Sequence, residues 1–168
     1  MEGLIVKALS GFYYVKTEEG TVECRARGRF RLDGSSPLVG DRVVVSLDAQ
    51  NRGRVDKILP RRNMFIRPAV ANIDALVAVA SVSEPETDPF LIDRVAATAE
   101  RAGCEVIVCI NKADTGDAGK LASIYDGTGY TVIVTSAAKG DGIDGLRRAI
   151  DGKICAFSGN SGVGKSSL

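Results

Sequence analysis

Between residues 3 and 59 apolar and polar positions alternate in short runs, broken every few residues by turn formers. The runs at 3–9, 12–16, 21–32, 42–47 and 53–58 read as strands, separated by Ser10-Gly11, Glu19-Gly20, Asp33-Gly34 and Gln50-Asn51. No helical periodicity intervenes. Five short strands in this length predict an all-β barrel of OB type, a pattern that an SH3-like barrel would share. From residue 73 the grammar changes. Residues 73–82 are almost unbroken apolar, as in a central parallel strand buried on both faces. Asp88-Pro89 then offers a cap followed by proline at the first helical position. Leu91, Ile92, Val95, Ala96 and Ala99 recur at helical spacing until Gly103. Further strands are expected at 105–110, 130–135 and 154–158, with helices near 117–125 and 143–150. This β-α alternation predicts a doubly wound parallel sheet, whose ligands collect beyond the carboxyl ends of its strands. Two domains follow, residues 1–62 and 63–168, joined at Pro60-Arg61-Arg62.

Charge divides along the same boundary. The net charge of +1 conceals 13 Lys/Arg against 8 Asp/Glu in residues 1–67, and 9 against 13 in residues 68–168. The first part suits a polyanion; the second gives no such hint. There is no histidine, and Cys24, Cys104, Cys109 and Cys155 are scattered without a CxxC pair, so no zinc site is expected from this chain. Cys104, Cys109 and Cys155 fall in apolar runs, where a reduced thiol acts as a small hydrophobe. No apolar run reaches a membrane span's length, and Met1-Glu2-Gly3-Leu4 lacks a signal peptide's basic start. A cytoplasmic protein without a membrane partner is the expectation, and a monomer is expected.

After the strand at 154–158 comes Gly159-Asn160-Ser161-Gly162-Val163-Gly164-Lys165-Ser166-Ser167, which fits GxxxxGK[ST]. Glycines let successive N–H groups turn toward phosphate oxygens. Lys165 would bring a point charge to the transferred phosphate, and the Ser166 hydroxyl would ligate Mg²⁺. A flexible Gly/Ser tail is the competing reading, but such a match arises by chance in roughly 1% of chains of this length, and the preceding strand disfavours it further. The loop alone names no base, so a P-loop ATPase or kinase stays open at this point.

Asn111-Lys112-Ala113-Asp114 lies at the end of the strand at 105–110. A carboxylate such as Asp114 can accept both guanine N1–H and N2–H, whereas adenine would present a second acceptor. The stem of Lys112 can cover the purine, and the Asn111 amide can brace the loop. Asp114 as an ordinary helix cap is the bland alternative. One β-α unit later, Thr135-Ser136-Ala137 offers a backbone N–H, that of Ala137, to guanine O6.

The order NKAD, TSA, then GNSGVGKSS is circularly permuted relative to ordinary GTPases. With a barrel before it, this order closely resembles the ribosome small-subunit-dependent GTPase A family. Arg27-Gly28-Arg29-Phe30-Arg31, Val39-Gly40-Asp41-Arg42-Val43 and Ile92-Asp93-Arg94 look like that family too. The resemblance implies a permuted P-loop GTPase domain binding GTP and GDP with Mg²⁺. It also implies a role in late maturation of the 30S subunit, stimulated by that subunit, with 16S rRNA contacted through the OB domain. Family members continue into switch regions and a zinc domain. The sequence ends at Leu168 with no DxxG after the phosphate loop, so the chain is expected to be a truncated member that hydrolyses GTP inefficiently, its catalytic residues beyond Lys165 unassigned. Some permuted GTPases use an asparagine at the fourth loop position for K⁺; here that position is Gly162 and the asparagine is Asn160, so the resemblance leaves potassium dependence open.

Residues 24–32 alternate strictly, which on a strand would put Arg25, Arg27, Arg29 and Arg31 on one face. With Arg61 and Arg62 they form the expected RNA patch, against the plain alternative of a solvated strand face. Phe12, Tyr13, Tyr14 and Phe30 read as core rather than as stacking platforms. An RNA-binding module with a purely regulatory nucleotide site is the remaining alternative.

Overall fold

The alternating and helical patterns sort the chain into two compact units, Met1–Asn72 and Ile73–Leu168. The computed structural model describes residues 1–26, 28, 30, 36–50 and 52–168.

In the first unit β1 (Glu2–Leu9), β2 (Phe12–Thr17), β3 (Gly20–Ala26), β4 (Arg42–Leu47) and β5 (Gly53–Ile58) form a closed barrel in the order β1-β2-β3-β5-β4. β1 closes it by pairing with β2 along its length and with β4 through Glu2, Gly3 and Leu4. β3 and β5 are the parallel pair, and the order is that of an OB-type barrel. A register shift between Ile5 and Lys7 gives β1 the bend that serves two partners. The core gathers Ile5, Val15, Cys24, Val43, Val45, Val55 and Phe30, the inward residues of each alternation.

One expectation is corrected here. The strand expected to run to residue 32 stops at Ala26, and Phe30 is helical and buried. Ala26 and Phe30 are four apart, a spacing that satisfies both a period of 2 and a period of 3.6, so alternation could not tell strand from helix. Arg27, Arg29 and Arg31 lie outside the described residues.

A short hairpin, β6 (Met64–Phe65) with β7 (Val70–Ala71), completes this unit. Arg61 locks its approach. Its guanidinium meets Asp41 with two bonds of 2.7 Å and donates to Ser36 O at 2.9 Å. Asp41 is fully buried and also accepts the Leu38 N–H at 2.7 Å. The bidentate contact raises the Arg61 pKa further. Arg62 donates to Asn72 O at 2.7 Å and takes Asn72 Oδ1 at its own N–H.

In the second unit β8 (Ala75–Ser81), β9 (Glu105–Asn111), β10 (Thr131–Val134) and β11 (Cys155–Ser158) form a parallel sheet in the order β10-β9-β8-β11. β8 is buried at every position, as its apolar run requires. The helices are α1 (Pro89–Arg101), α2 (Gly119–Ile124) and α3 (Ile143–Ile150). Asp88 Oδ1 caps α1 by accepting the Phe90 N–H at 2.9 Å, and Gly103 follows its end at φ +67°. Leu146 of α3 packs with Ala75, Val77, Val79, Ile107 and Cys109 on one sheet face. The alternate residues Leu76, Ala78 and Ala80 face the other way, and α1 lies along β8 and β9. Strand order runs from β8 to β10 in one direction and returns to place β11 on the opposite side of β8. The crevice above β8 and β11 is therefore the topological switch point, where such sheets bind ligands.

Candidate nucleotide site

Three loops leave the carboxyl ends of β9, β10 and β11, and one buried side chain joins them. Asn111, 2% exposed at the last position of β9, donates through Nδ2 to Val163 O at 3.0 Å. Its Oδ1 accepts the Thr135 hydroxyl at 3.1 Å and the Ala137 N–H at 3.1 Å. One amide thus fixes the glycine-rich loop to the loop after β10, using its donor and its acceptor. Ala113 N–H to Thr135 O at 3.1 Å tightens the same junction.

The glycine-rich loop follows β11 directly. Val163 is fully buried in the core beneath it and anchors its middle. Gly164 adopts φ +97°, and a Cβ there would overlap Asn111 Nδ2; Gly159, at φ +153°, passes just as close to Val79 O. Close backbone approach therefore demands glycine at both ends of the cradle. Lys165 folds back over the loop, its Nζ donating to Gly159 O at 2.8 Å and Asn160 O at 2.6 Å. Ser167 and Leu168 both donate to Gly164 O, beginning a helical turn, and the Ser166 side chain is exposed beside it. Asn160, Ser161 and Gly162 form the exposed crest.

After β9 the chain turns sharply at Lys112, whose φ of +64° is unusual for a residue with a long side chain. The turn projects Asp114 outward. Its exposed carboxylate accepts the Ser136 hydroxyl at 2.6 Å through Oδ1. That bond, with the nearby charge of Lys139 as a smaller cause, holds the Asp114 pKa below the usual carboxylate range. Asp114 does not cap the helix that follows: α2 has Ala118 at its N-cap, and the carboxylate bonded there, to the Gly119 N–H, is that of Asp117. Lys112 Nζ donates to Glu84 O at 2.5 Å. The Ala137 N–H expected to face a base is engaged by Asn111 Oδ1.

The structure thus brings Asn111, Asp114, Ser136, Ala137 and Val163 together through direct bonds, with Lys165 on the same loop as Val163. Thr135, which the TSA motif left without a role of its own, completes the acceptor side of Asn111. Ser83, Glu84 and Thr115 are added around Lys112. Nothing in the spacing of these three marks them, because they are joined only by the fold.

The expected RNA residues that the structure describes belong to the first unit. Arg25 sits over the Phe12 ring at 4.6 Å on the outer face of the barrel, while Arg61 and Arg62 are committed to the hairpin contacts above. Among the described residues, no group of three or more His, Cys, Asp or Glu side chains is placed to hold a metal ion. Nor is any described helix long and apolar enough to cross a membrane.

Comparison with known proteins bears on both units. A sequence model described as the RsgA GTPase matches residues 58–168, and one described as the RsgA N-terminal domain matches residues 2–55. A small ribosomal subunit biogenesis GTPase RsgA from Caldanaerobacter subterraneus subsp. tengcongensis is 44% identical over 171 residues, covering 100% of this chain and 58% of the relative. That of Halalkalibacterium halodurans is 42% identical over 173 residues, covering 99% of this chain and 59% of the relative. The crystal structure of YjeQ from Thermotoga maritima superposes with a TM-score of 0.80 at 37% identity, over 99% of this chain and 62% of that one. YloQ, described as a circularly permuted GTPase, gives 0.75 at 38% identity with the same coverage. The chain spans about three-fifths of the length of the curated relatives it matches.

Proposed function

The chain belongs to the RsgA GTPase family, and from that premise we propose that it binds GTP and GDP through the three loops that follow β9, β10 and β11. The observation that carries the proposal is Asn111, whose amide ties the glycine-rich loop to the loop after β10. It sets the phosphate end and the base end of one ligand at a fixed separation. In this reading Asp114 accepts guanine N1–H and N2–H with an ionised carboxylate oriented by Ser136. The stem of Lys112 covers the base. The Ala137 N–H is shared between Asn111 Oδ1 and guanine O6, as a three-centre bond. Lys165 exchanges its two loop carbonyls for phosphate oxygens, a trade of neutral acceptors for charged ones.

The residues present fit a magnesium-nucleotide. The cradle is one that any Cβ at Gly159 or Gly164 would fill, and Ser166 offers a hydroxyl beside Lys165. Magnesium, when bound with nucleotide, neutralises charge on the phosphate oxygens. The chain's own contribution is to orient the nucleotide and hold a positive charge at the phosphates.

We further infer that the protein acts as a GTP-hydrolysing factor in small ribosomal subunit biogenesis, the role its relatives' names carry, in the cytoplasm and as a monomer, with 16S rRNA met through the barrel. The barrel's support is local. Arg25 and Arg54 are register partners on β3 and β5, and Arg54 is paired with Asp56 at 3.0 Å. Like charges placed opposite each other are unfavourable alone and relieved by a polyanion. GTP turnover measured with and without purified bacterial small subunits tests this role. Stimulation by the subunit supports it; subunit binding without any stimulated turnover would reduce the protein to an RNA-binding module with a regulatory nucleotide site.

A further inference from the structure

The loop between β8 and α1, residues 82–87, is unexplained by the base and phosphate contacts above, yet it touches the loops that make both. Its foot is closed by reciprocal bonds. Ser81 N–H donates to Thr87 Oγ1 at 2.9 Å, and Thr87 N–H donates to Ser81 O at 3.0 Å. The Ser81 hydroxyl donates to Ser83 O at 2.7 Å, so the first turn is fixed as well. Beyond that turn the loop reaches sideways to the base-reading turn. Ser83 Oγ and Thr115 Oγ1 share a hydrogen bond of 2.6 Å, and Thr115 Oγ1 also bonds Lys112 O at 2.8 Å. Glu84 O takes the Lys112 ammonium. On its other side the loop meets the phosphate loop, where a Cβ on Gly162 would lie 3.1 Å from Pro85 Cδ.

We propose that this loop is a strap across the nucleotide site and that Ser83 is its positioning residue. The Ser83–Thr115 hydroxyl pair pins the strap so that Lys112 and Gly162 are held in one geometry before and after nucleotide binds. Ser83 touches no expected nucleotide atom; it acts through Thr115 and Lys112. The proposal rests on the reading of this site as a guanine-nucleotide site. Its consequence is kinetic. The strap borders both ends of the bound nucleotide, so loosening it opens the exit and speeds release more than it slows entry. Because the hydroxyl pair is exposed to solvent, water replaces part of what is lost and the effect is moderate.

The test is stopped-flow release of a fluorescent GDP from the 168-residue chain and its variants. Ser83→Ala and Thr115→Val are each expected to speed release about three- to tenfold, equivalent to about 0.7–1.4 kcal/mol. Their melting temperatures should stay within about 2 °C of the parent, because the pair lies outside the core. The double variant should release no faster than the quicker single one, since both remove the same bond. Thr115→Ser, which keeps the hydroxyl, should restore parental release, a rescue that a merely structural role would not give. Parental binding of GDP with release unchanged within twofold in both single variants overturns the strap and leaves the nucleotide reading intact. Fully additive effects in the double variant also overturn it. Failure of the parent chain to bind GDP at all overturns the nucleotide reading and the strap together.

Discussion

Replacing Asn111 by alanine removes three hydrogen bonds from one buried point: to Val163 O at 3.0 Å, from the Thr135 hydroxyl at 3.1 Å and from the Ala137 N–H at 3.1 Å. At a net of about 1 kcal/mol each, the loss is about 3 kcal/mol. It comes chiefly from polar partners stranded in a region that water does not reach. A domain of this size loses about 4–8 °C in Tm per kcal/mol, so the α/β unit should melt about 12–24 °C lower. Far-UV circular dichroism with temperature and urea as perturbants reads this directly. Thr135→Val removes only one of the three bonds and should cost about 1 kcal/mol. Asn111→Asp keeps the acceptor side but turns a carboxylate oxygen toward Val163 O, so it should recover little of the loss. Below full unfolding, GDP affinity should fall at least tenfold in Asn111→Ala, because the phosphate and base loops lose their shared anchor. A variant destabilised by less than about 1 kcal/mol, with GDP affinity within threefold of the parent, would show that the loops are held by something else.

Asp114→Asn should exchange preference from guanine toward xanthine nucleotides in a competition assay, since an amide donates where the carboxylate accepted; unchanged preference would remove Asp114 from base reading. The Ser136 bond keeps the Asp114 pKa low. What the ionised form contributes is therefore present above the unfolded-chain value of about 3.9 and is lost only as pH falls through the lower native value. GDP affinity attributable to Asp114 should stay level down to about pH 5, and Ser136→Ala should move its acid limb to higher pH. Gly164→Ala, at φ +97° and against Asn111 Nδ2, should abolish measurable GDP binding by isothermal calorimetry. In the other unit, Arg61→Ala leaves the fully buried Asp41 carboxylate without its guanidinium and should destabilise the barrel by about 3–5 kcal/mol in urea titration.

Much of this architecture was legible because the local signals agreed with one another. The five barrel strands, the buried run of β8, the Asp88 cap with Pro89, and α3 at residues 143–150 follow from period, caps and turn residues. So does the grouping of Asn111, Asp114, Ser136 and the glycine-rich loop, since motifs at parallel strand ends must converge. What escaped was decided by distant partners. The pairing of Arg61 with buried Asp41 left no local signal, because Asp41 is 20 residues away and looks like a turn residue in sequence. Two-residue strands such as β6 and β7 are too short to leave a period. The alternation after Cys24 reads as one strand, but β3 ends at Ala26 and Phe30 reaches the core from a helical position. The Ser83–Thr115 pair spans 32 residues between two loops, and loop composition carries no record of it.

The central claim is that Asp114 and the glycine-rich loop together select a guanine nucleotide. Competitive displacement of a fluorescent GDP from the 168-residue chain by unlabelled GDP and ADP tests it most directly. Guanine's two donors against a carboxylate predict that GDP displaces at least about a hundredfold better than ADP, at about 1.4 kcal/mol per tenfold. Equal displacement by the two nucleotides would contradict the account.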